Sequence, residues 1–216
     1  MRKTAKDAEK TRLAILDAAA RIFARDGFDA ATLEAIGREA NLTRGAIYWH
    51  FKDKQDLFEQ IVGRDDELLH RLIAEALAGD TPPFGKLRRL LETVLDNFYD
   101  NEPFRQQIIL TWYRLNAAQF PPVMTAKSAF VQNFLALMED LLVKAKGEGE
   151  LALDVDTRQA ALHLSCLING LYRLYHVAPD WARDKEGARR LFYDYLDSLS
   201  ASSPAGEEPS ASKENE

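Results

Sequence analysis

Cysteine is almost absent from the chain: Cys166 is the only one among 216 residues. A single cysteine cannot form a disulfide within the chain, so the sequence predicts a protein of a reducing compartment, the cytoplasm. Long hydrophobic runs are missing as well, because the most apolar stretch, 160–171, is interrupted by His163, Ser165 and Asn169. That stretch is too short to span a bilayer, and the first twelve residues are too charged for a secretory signal. We therefore expect no association with a membrane.

The motifs of common enzymes are missing too. The chain has no G-x-S-x-G, no H-E-x-x-H and no glycine-rich phosphate loop. His163 and Cys166 are three residues apart, but two ligands do not make a metal site and no second cluster accompanies them. The sequence thus predicts no catalytic residue, no metal and no cofactor. An enzyme built on a helical bundle stays open as an alternative at this point.

Positive charge is scarce outside the N-terminal part. The net charge is −6; residues 1–60 carry 11 Lys and Arg against 10 Asp and Glu, while the remainder carries 17 against 24. The first twelve residues hold five basic and two acidic side chains. The overall charge argues against a general nucleic-acid coat protein. A basic leader on an acidic body predicts that one end of the protein meets phosphate and the rest does not.

Apolar residues recur at spacings of three and four, and no segment alternates as a strand would, so no sheet is expected. The sequence predicts an all-α protein of about nine helices, with a three-helix helix-turn-helix domain at 1–54 and a helical bundle at 55–200. Residues 201–216 have few apolar side chains and are predicted to be a disordered tail. The predicted helices are 8–26, two short helices capped by Thr32 and Thr43, a long helix from Asp53 to about Ala78, and then 84–100, 103–117, 122–146, 155–177 and 181–200.

The two short helices are separated by only Asn41 and Leu42. A turn this tight needs a residue that tolerates positive φ, and asparagine is the next best choice after glycine. Leu42 can fill the angle between the helices while Ile36, Ile47 and Phe51 pack against the first helix. This spacing predicts helix-turn-helix geometry, in which the second helix enters the major groove of DNA.

The outward residues of that second helix suit DNA. Arg44 lies at its N-terminal end, where a guanidinium can bond O6 and N7 of guanine, and Gly45 and Ala46 let the backbone approach closely. Further contacts, mostly to phosphate, are predicted for Thr32, Thr43, Tyr48, Trp49, His50 and Lys54. The alternative is ordinary packing: short helix pairs without any DNA function are common, and Tyr48 and Trp49 could be core aromatics.

The segment 43–54, TRGAIYWHFKDK, followed by Asp56-Leu57-Phe58, resembles the recognition helix of the TetR family in its AcrR-like branch. Residues 15–19 and 23–27 are similar to that family's first helix, and 169–179 to its penultimate helix. Asn41 departs from the glycine that relatives often carry. The resemblance implies that Thr43, Arg44, Gly45, Tyr48, His50 and Lys54 contact double-stranded operator DNA. It further implies a dimeric repressor of a multidrug efflux operon, released by a small hydrophobic or cationic effector. The alternative is a regulator of the same family, either a repressor or an activator, that controls a catabolic or stress operon.

A helix-turn-helix reads a palindrome as a dimer, and the last two predicted helices carry apolar stripes suited to a four-helix interface. The alternative is that these stripes pack only within one chain. The stripes are Ala160, Leu164, Leu167, Leu171 and Leu174 on the first helix, and Ala188, Leu191, Phe192, Tyr195, Leu196 and Leu199 on the second.

The middle helices are predicted to enclose the effector. Asp65 lies on the apolar stripe of the long fourth helix with Asp66 beside it, and a carboxylate there could pair with a cationic ligand. Aromatic walls are expected from Phe98, Trp112, Tyr113, Phe130 and Phe134, with Gln132 and Asn133 as polar contacts. Alternatively, the carboxylates are solvated and the aromatics are plain core. Since the fourth helix joins both parts of the protein, a ligand that shifts it would change the spacing of the two DNA-binding helices.

Overall fold

The computed structural model describes residues 5–110, 112 and 120–201, apart from the side chains at 64–66 and 107. This part of the chain contains ten helices and no strand, so the predicted all-α class is confirmed. None of these helices combines the length and the apolar character that a membrane crossing requires. The helices are α1 Ala5–Asp26, α2 Leu33–Glu39, α3 Arg44–His50, α4 Lys54–Leu77, α5 Pro83–Asp100, α6 Glu102–Ile109, α7 Pro121–Gly147, α8 Thr157–Val177, α9 Pro179–Ala182 and α10 Lys185–Leu199.

Side-chain caps determine where several helices begin. Thr32, Thr43, Asp53 and Asp156 each accept a hydrogen bond from the backbone N–H three residues further on, at 2.8–3.2 Å. Each bond satisfies one of the N–H groups that a first helical turn leaves without an intrahelical acceptor. The caps predicted for α2, α3 and α4 are confirmed, and Asp156 caps α8.

Two predicted helices differ from the structure. The segment predicted as one helix over 181–200 is divided into α9 and α10, because Asp184 is extended (ψ 97°) and serves as the N-cap residue of α10. Of the helix predicted over 103–117, the part up to Ile109 is α-helical and Leu110 and Trp112 have π-helical geometry, while 111 and 113–117 lie outside the described residues. The predicted tail beyond residue 201 lies outside the described residues.

The N-terminal unit consists of α1, α2, α3 and the first two turns of α4, packed around one core. Leu110, just after α6, and Phe120 and Val123, at the start of α7, also belong to this core. The Phe120 ring is 4.6 Å from Phe58 and 4.7 Å from Phe28, measured between centroids. Core packing therefore does not divide the chain at residue 54: the start of α4 and part of a distant segment belong to the N-terminal unit.

The C-terminal bundle is built from α5, α7, α8 and α10 around a second core. The Phe98 ring stacks on Tyr172 at 4.2 Å between centroids, so Phe98 is a core residue. The second half of α4 packs on this bundle through Leu68, Leu69 and Ile73. A single continuous helix thus contacts both cores.

The turn between α2 and α3 has the geometry that the sequence predicts, with Asn41 at φ 55°. One requirement of the turn was not predicted: the Leu42 N–H donates to the Gly37 carbonyl at 2.8 Å. A Cβ at Gly37 would lie 2.9 Å from the Leu42 carbonyl oxygen. Because that neighbour is backbone, it cannot move aside without opening the turn. Glycine at position 37 therefore permits the close approach of the turn to α2.

Gly37→Ala should destabilise the protein although alanine is normally the better helix former. Alanine gains about 1 kcal/mol of helix propensity, but the clash with the Leu42 carbonyl should leave a net loss of about 1–3 kcal/mol, as overpacking does. Thermal denaturation followed by circular dichroism measures it. Gly45→Ala is the matched control, since a Cβ there meets only Thr43 Oγ1 at 3.9 Å. Equal melting temperatures of Gly37→Ala and the wild type would contradict the clash.

Candidate nucleic-acid interface and ligand cavity

Helix α3 has one buried face and one open face. Ile47 is fully buried and Phe51, which caps the helix, is 2% exposed. On the opposite side Tyr48 is 47% exposed and Trp49 is 74% exposed. Neither ring belongs to a hydrophobic core of the described residues, which removes the alternative that they are packing aromatics. The helix therefore presents two large aromatic side chains to solvent.

Arg44 lies at the start of that open face, held between two partners. It donates to Tyr48 Oη at 3.0 Å and to a carboxylate oxygen of Glu34 on α2, and its Cζ is 5.4 Å from the centre of the Tyr48 ring. The hydrogen bond to Tyr48 and the charge of Glu34 raise the pKa of Arg44 above its ordinary value. Because an exposed ion pair contributes only about 0–1 kcal/mol, the guanidinium can exchange Glu34 for a base or a phosphate at little cost.

The backbone beside Arg44 is open to approach. Gly45 is exposed, and no internal contact requires it to be glycine, since a Cβ would meet nothing closer than 3.9 Å. Thr43 is exposed and its hydroxyl accepts from the Ala46 N–H at 3.2 Å. Thr32 likewise is exposed and caps α2. His50 is half-buried, with its ring edge-on to Trp49 at 4.6 Å between centroids.

Lys54, which the sequence predicts to contact phosphate, is bound in this structure to backbone carbonyls of its own chain. Its Nζ donates to the carbonyl oxygens of Phe28, Asp29 and Ala31 at 2.7, 3.2 and 3.0 Å, and lies 4.4 Å from the centre of the Phe28 ring. An ammonium has three donors, so these carbonyls take all of them. In this arrangement the half-buried Lys54 holds the loop between α1 and α2 against the start of α4.

Lys54→Met should therefore lower the free energy of unfolding, by about 1–3 kcal/mol, because three carbonyl oxygens lose a charged donor. Urea denaturation followed by circular dichroism measures the loss. Lys52→Met is the matched control, since Lys52 is exposed and surface changes usually stay within about 0.5 kcal/mol. A stable Lys54→Met variant with weakened DNA binding would instead favour a phosphate contact.

A cavity of about 80 Å³ lies in the C-terminal bundle, bounded by side chains of α4, α5, α6, α7 and α8. Trp112, Phe130 and Phe134, which the sequence predicts as ligand contacts, all line it. The Phe130 and Phe134 rings are nearly parallel, 5.8 Å apart between centroids. Val62 lines the cavity as well and belongs to the core of the N-terminal unit, so the cavity extends to the junction of the two units.

Other predicted ligand contacts lie elsewhere. Asn133 and Gln132 are exposed and do not line the cavity, because the lining residues of α7 are at 127, 130, 131 and 134 and form one stripe that positions 132 and 133 flank. The side chains of Asp65 and Asp66, and the whole of Tyr113, lie outside the described residues.

The polar groups of the cavity are ones that sequence reasoning missed. Lys127 is 8% exposed, with its Nζ 4.4 Å from the centre of the Trp112 ring. Ser165 and Asn169, on α8, also line the cavity, and the Asn169 amide donates to the Ser165 carbonyl at 2.8 Å. A signal existed for Lys127: it lies three residues before Phe130, on the same helical stripe.

The apolar stripes predicted for dimerisation are placed differently from the prediction. Most of their members are buried in the C-terminal bundle of a single chain, including Leu164, Leu171, Phe192 and Leu196. The apolar side chains of α8 and α10 that are exposed to solvent are mostly not members of the predicted stripes. The exposed apolar residues of this surface, called here the α8–α10 face, are Leu162, Cys166, Leu174, Val177 and Leu191.

A three-helix unit with an exposed recognition helix, joined to a larger helical bundle with a cavity, defines a helix-turn-helix regulator rather than an enzyme. The family model described as bacterial regulatory proteins, tetR family, matches residues 15–61. The HTH-type transcriptional regulator AcrR of Shigella flexneri is 33% identical over 192 residues, which are 87% of this chain and 88% of AcrR. The chain belongs to the tetR family.

Solved structures agree with this assignment. NalD of Pseudomonas aeruginosa, described as the secondary repressor of the MexAB-OprM multidrug efflux pump, superposes with a TM-score of 0.70 at 30% identity, covering 90% of this chain and 98% of NalD. SmeT in complex with triclosan gives a TM-score of 0.69 at 25% identity, covering 95% of this chain and 98% of SmeT.

Proposed function

We propose that the protein is a cytoplasmic repressor that binds a palindromic operator as a homodimer, controls a multidrug efflux operon, and is released from DNA by a small-molecule effector that enters the cavity. The observation that carries the proposal is the outward face of α3, where Arg44, Tyr48 and Trp49 are exposed beside an open backbone. Similarity to NalD, described as an efflux-pump repressor, supports the kind of operon.

On DNA, α3 would lie in the major groove with Arg44 at base edges. Thr32, Thr43, Tyr48, Trp49 and His50 would contact the sugar–phosphate backbone, which fixes register rather than sequence. A glycine at 45 lets a phosphate or base come close to the helix. Lys54 acts behind this surface, through the loop that it closes.

The homodimer would form through the α8–α10 face. Its exposed leucines and valine are apolar side chains that a lone chain leaves in water. The proposal requires the two-fold axis of this dimer to place both α3 helices on the same side. Two half-sites one helical turn apart, about 34–36 Å, then fit the pair.

Release would depend on the junction of the two units. A cavity of about 80 Å³ is much smaller than the 300 Å³ or more of a typical drug-sized site (about 300–1,000 Å³), so an effector has to widen it. Widening moves α7, whose face 127–134 lines the cavity and whose first residues follow Phe120. Because Phe120 packs directly on Phe28 and Phe58, this movement reaches the N-terminal unit, alongside the predicted route through α4.

Arg44→Ala should weaken operator binding by about 5- to 150-fold, the effect of losing one base-reading arginine at about 1–3 kcal/mol. The melting temperature should fall by no more than about 2–4 °C, since the exposed Arg44–Glu34 pair contributes at most about 1 kcal/mol. Fluorescence anisotropy with a labelled operator fragment measures the affinity.

Arg158→Ala is the matched control, because it removes an exposed arginine from the first turn of α8. Unchanged affinity of Arg44→Ala, at constant salt, would show that α3 does not read the groove.

Phe120→Leu should reduce the effector's influence on operator affinity while leaving effector binding intact. Coupling between sites is typically about 1–3 kcal/mol, or 5- to 150-fold. The smaller, non-planar side chain should bring the effector-induced change below about fivefold, because it transmits less of the α7 movement to Phe28 and Phe58. The measurement is operator affinity with and without saturating effector.

Phe192→Leu is the control, since Phe192 is 1% exposed in the C-terminal bundle and belongs to the other core. An equal loss of coupling in both variants would attribute the effect to general destabilisation rather than to the Phe120 contact.

A further inference from the structure

A buried, positively charged side chain, that of Lys127, lines the cavity. Lys127 is 8% exposed and its Nζ lies over Trp112, 4.4 Å from the ring centre. A buried ammonium is costly unless it is compensated, and the face of an indole supplies part of that compensation. The helical stripe that includes Lys127 lines the cavity, so the charge belongs to the space that an effector would enter.

The rest of the cavity is suited to flat aromatic molecules. Phe130 and Phe134 lie on the same stripe of α7 as Lys127, with parallel rings 5.8 Å apart. Seven residues of helix separate Lys127 from Phe134, a rise of about 10 Å. This length matches a two-ring aromatic molecule with one polar substituent at its end.

We propose that the effector is an aromatic acid, whose ring system packs on Phe130 and Phe134 and whose carboxylate accepts a hydrogen bond from Lys127. This inference rests on the proposed function and names its ligand class. An ammonium has three donors, so it can hold a ligand oxygen in addition to its protein partners. A charge-assisted bond of this kind is about twice as strong as a neutral one.

The sequence alone favours the opposite charge, because Asp65 and Asp66 suggest a cationic ligand. A cation in this cavity would approach a buried ammonium at close range, and the low dielectric of the site strengthens that repulsion. Ser165 and Asn169 add neutral hydrogen-bonding groups from α8, which accept either a neutral or an anionic ligand. Lys127 is therefore the residue that determines which ligand charge the cavity prefers.

The test uses three probes of one shape: 2-naphthoate, the neutral 2-naphthamide, and the cationic 2-naphthylmethylammonium. Isothermal titration calorimetry with the full-length protein, without DNA, measures each affinity. We expect 2-naphthoate to bind at least tenfold more tightly than the amide, and the cation most weakly. Lys127→Met should bring carboxylate and amide within about twofold, because methionine keeps the length of the stem without the charge. Lys127→Arg should keep the preference.

Lys144→Met is the matched control, because Lys144 lies on the same helix, exposed and paired with Asp140 at 2.6 Å. The inference is overturned if the wild type does not prefer the carboxylate, if none of the probes binds, or if Lys127→Met keeps the tenfold preference. If Lys127→Met fails to fold, the inference is still tested by the order of the three probe affinities in the wild type and by the preference that Lys127→Arg shows.

Operator affinity measured with saturating 2-naphthoate separates this inference from the proposed function. Carboxylate preference without any change in operator affinity would contradict effector release while the role of Lys127 stands. Release of DNA by the neutral or cationic probe alone would contradict the role of Lys127 while the proposed release stands.

Discussion

The burial of Ile47 and Phe51 is the interaction on which the recognition surface depends. A helix of seven residues is too short to be stable by itself in water, so α3 exists because these two side chains pack into the core of the N-terminal unit. The same packing fixes which face is left outside. Because Ile47 and Phe51 face the core, the opposite side of α3 faces solvent. That side carries Arg44, Tyr48 and Trp49. The close approach at Gly37 and the positive φ of Asn41 hold the angle at which this face is presented.

A second constraint connects that surface to the cavity. Leu110, just after α6, and Phe120 and Val123, at the start of α7, belong to the core of the N-terminal unit, and α4 packs on both cores. Closely packed cores transmit displacement because they contain few voids. Under the proposed function, a ligand that widens the cavity would have a physical route to α3, and a bound operator would resist the same displacement, as reciprocal coupling requires.

Local chemistry explains what could be predicted from the sequence. Caps such as Thr43, the turn at Asn41 and the two faces of α3 depend on residues within a few positions of one another, and these expectations agree with the structure. Contacts between side chains and groups that are far apart in the sequence do not depend on such local patterns. Lys54 binds three carbonyls that lie more than twenty residues earlier, so its donors could not be located from spacing.

Helical periodicity also leaves one ambiguity, since an amphipathic stripe does not say whether it packs within a chain or against another. On α8 the regularly spaced Leu164 and Leu171 are core residues, whereas Leu174 of the same stripe and Leu162 outside it are exposed. In the same way, Lys127 has the spacing of a cavity residue but the chemistry of a surface one. Only its burial beside Trp112 in the folded chain reveals where it lies.

Dimethyl sulfate protection of guanine N7, carried out on the DNA upstream of the gene with purified protein, tests the central claim most directly. Major-groove binding by α3 predicts two protected guanines related by a palindrome, about one helical turn apart or a multiple of it, and both should become reactive again with Arg44→Ala. Uniform reactivity along the fragment, or protection that ignores any palindrome, would contradict the placement of α3 in the groove.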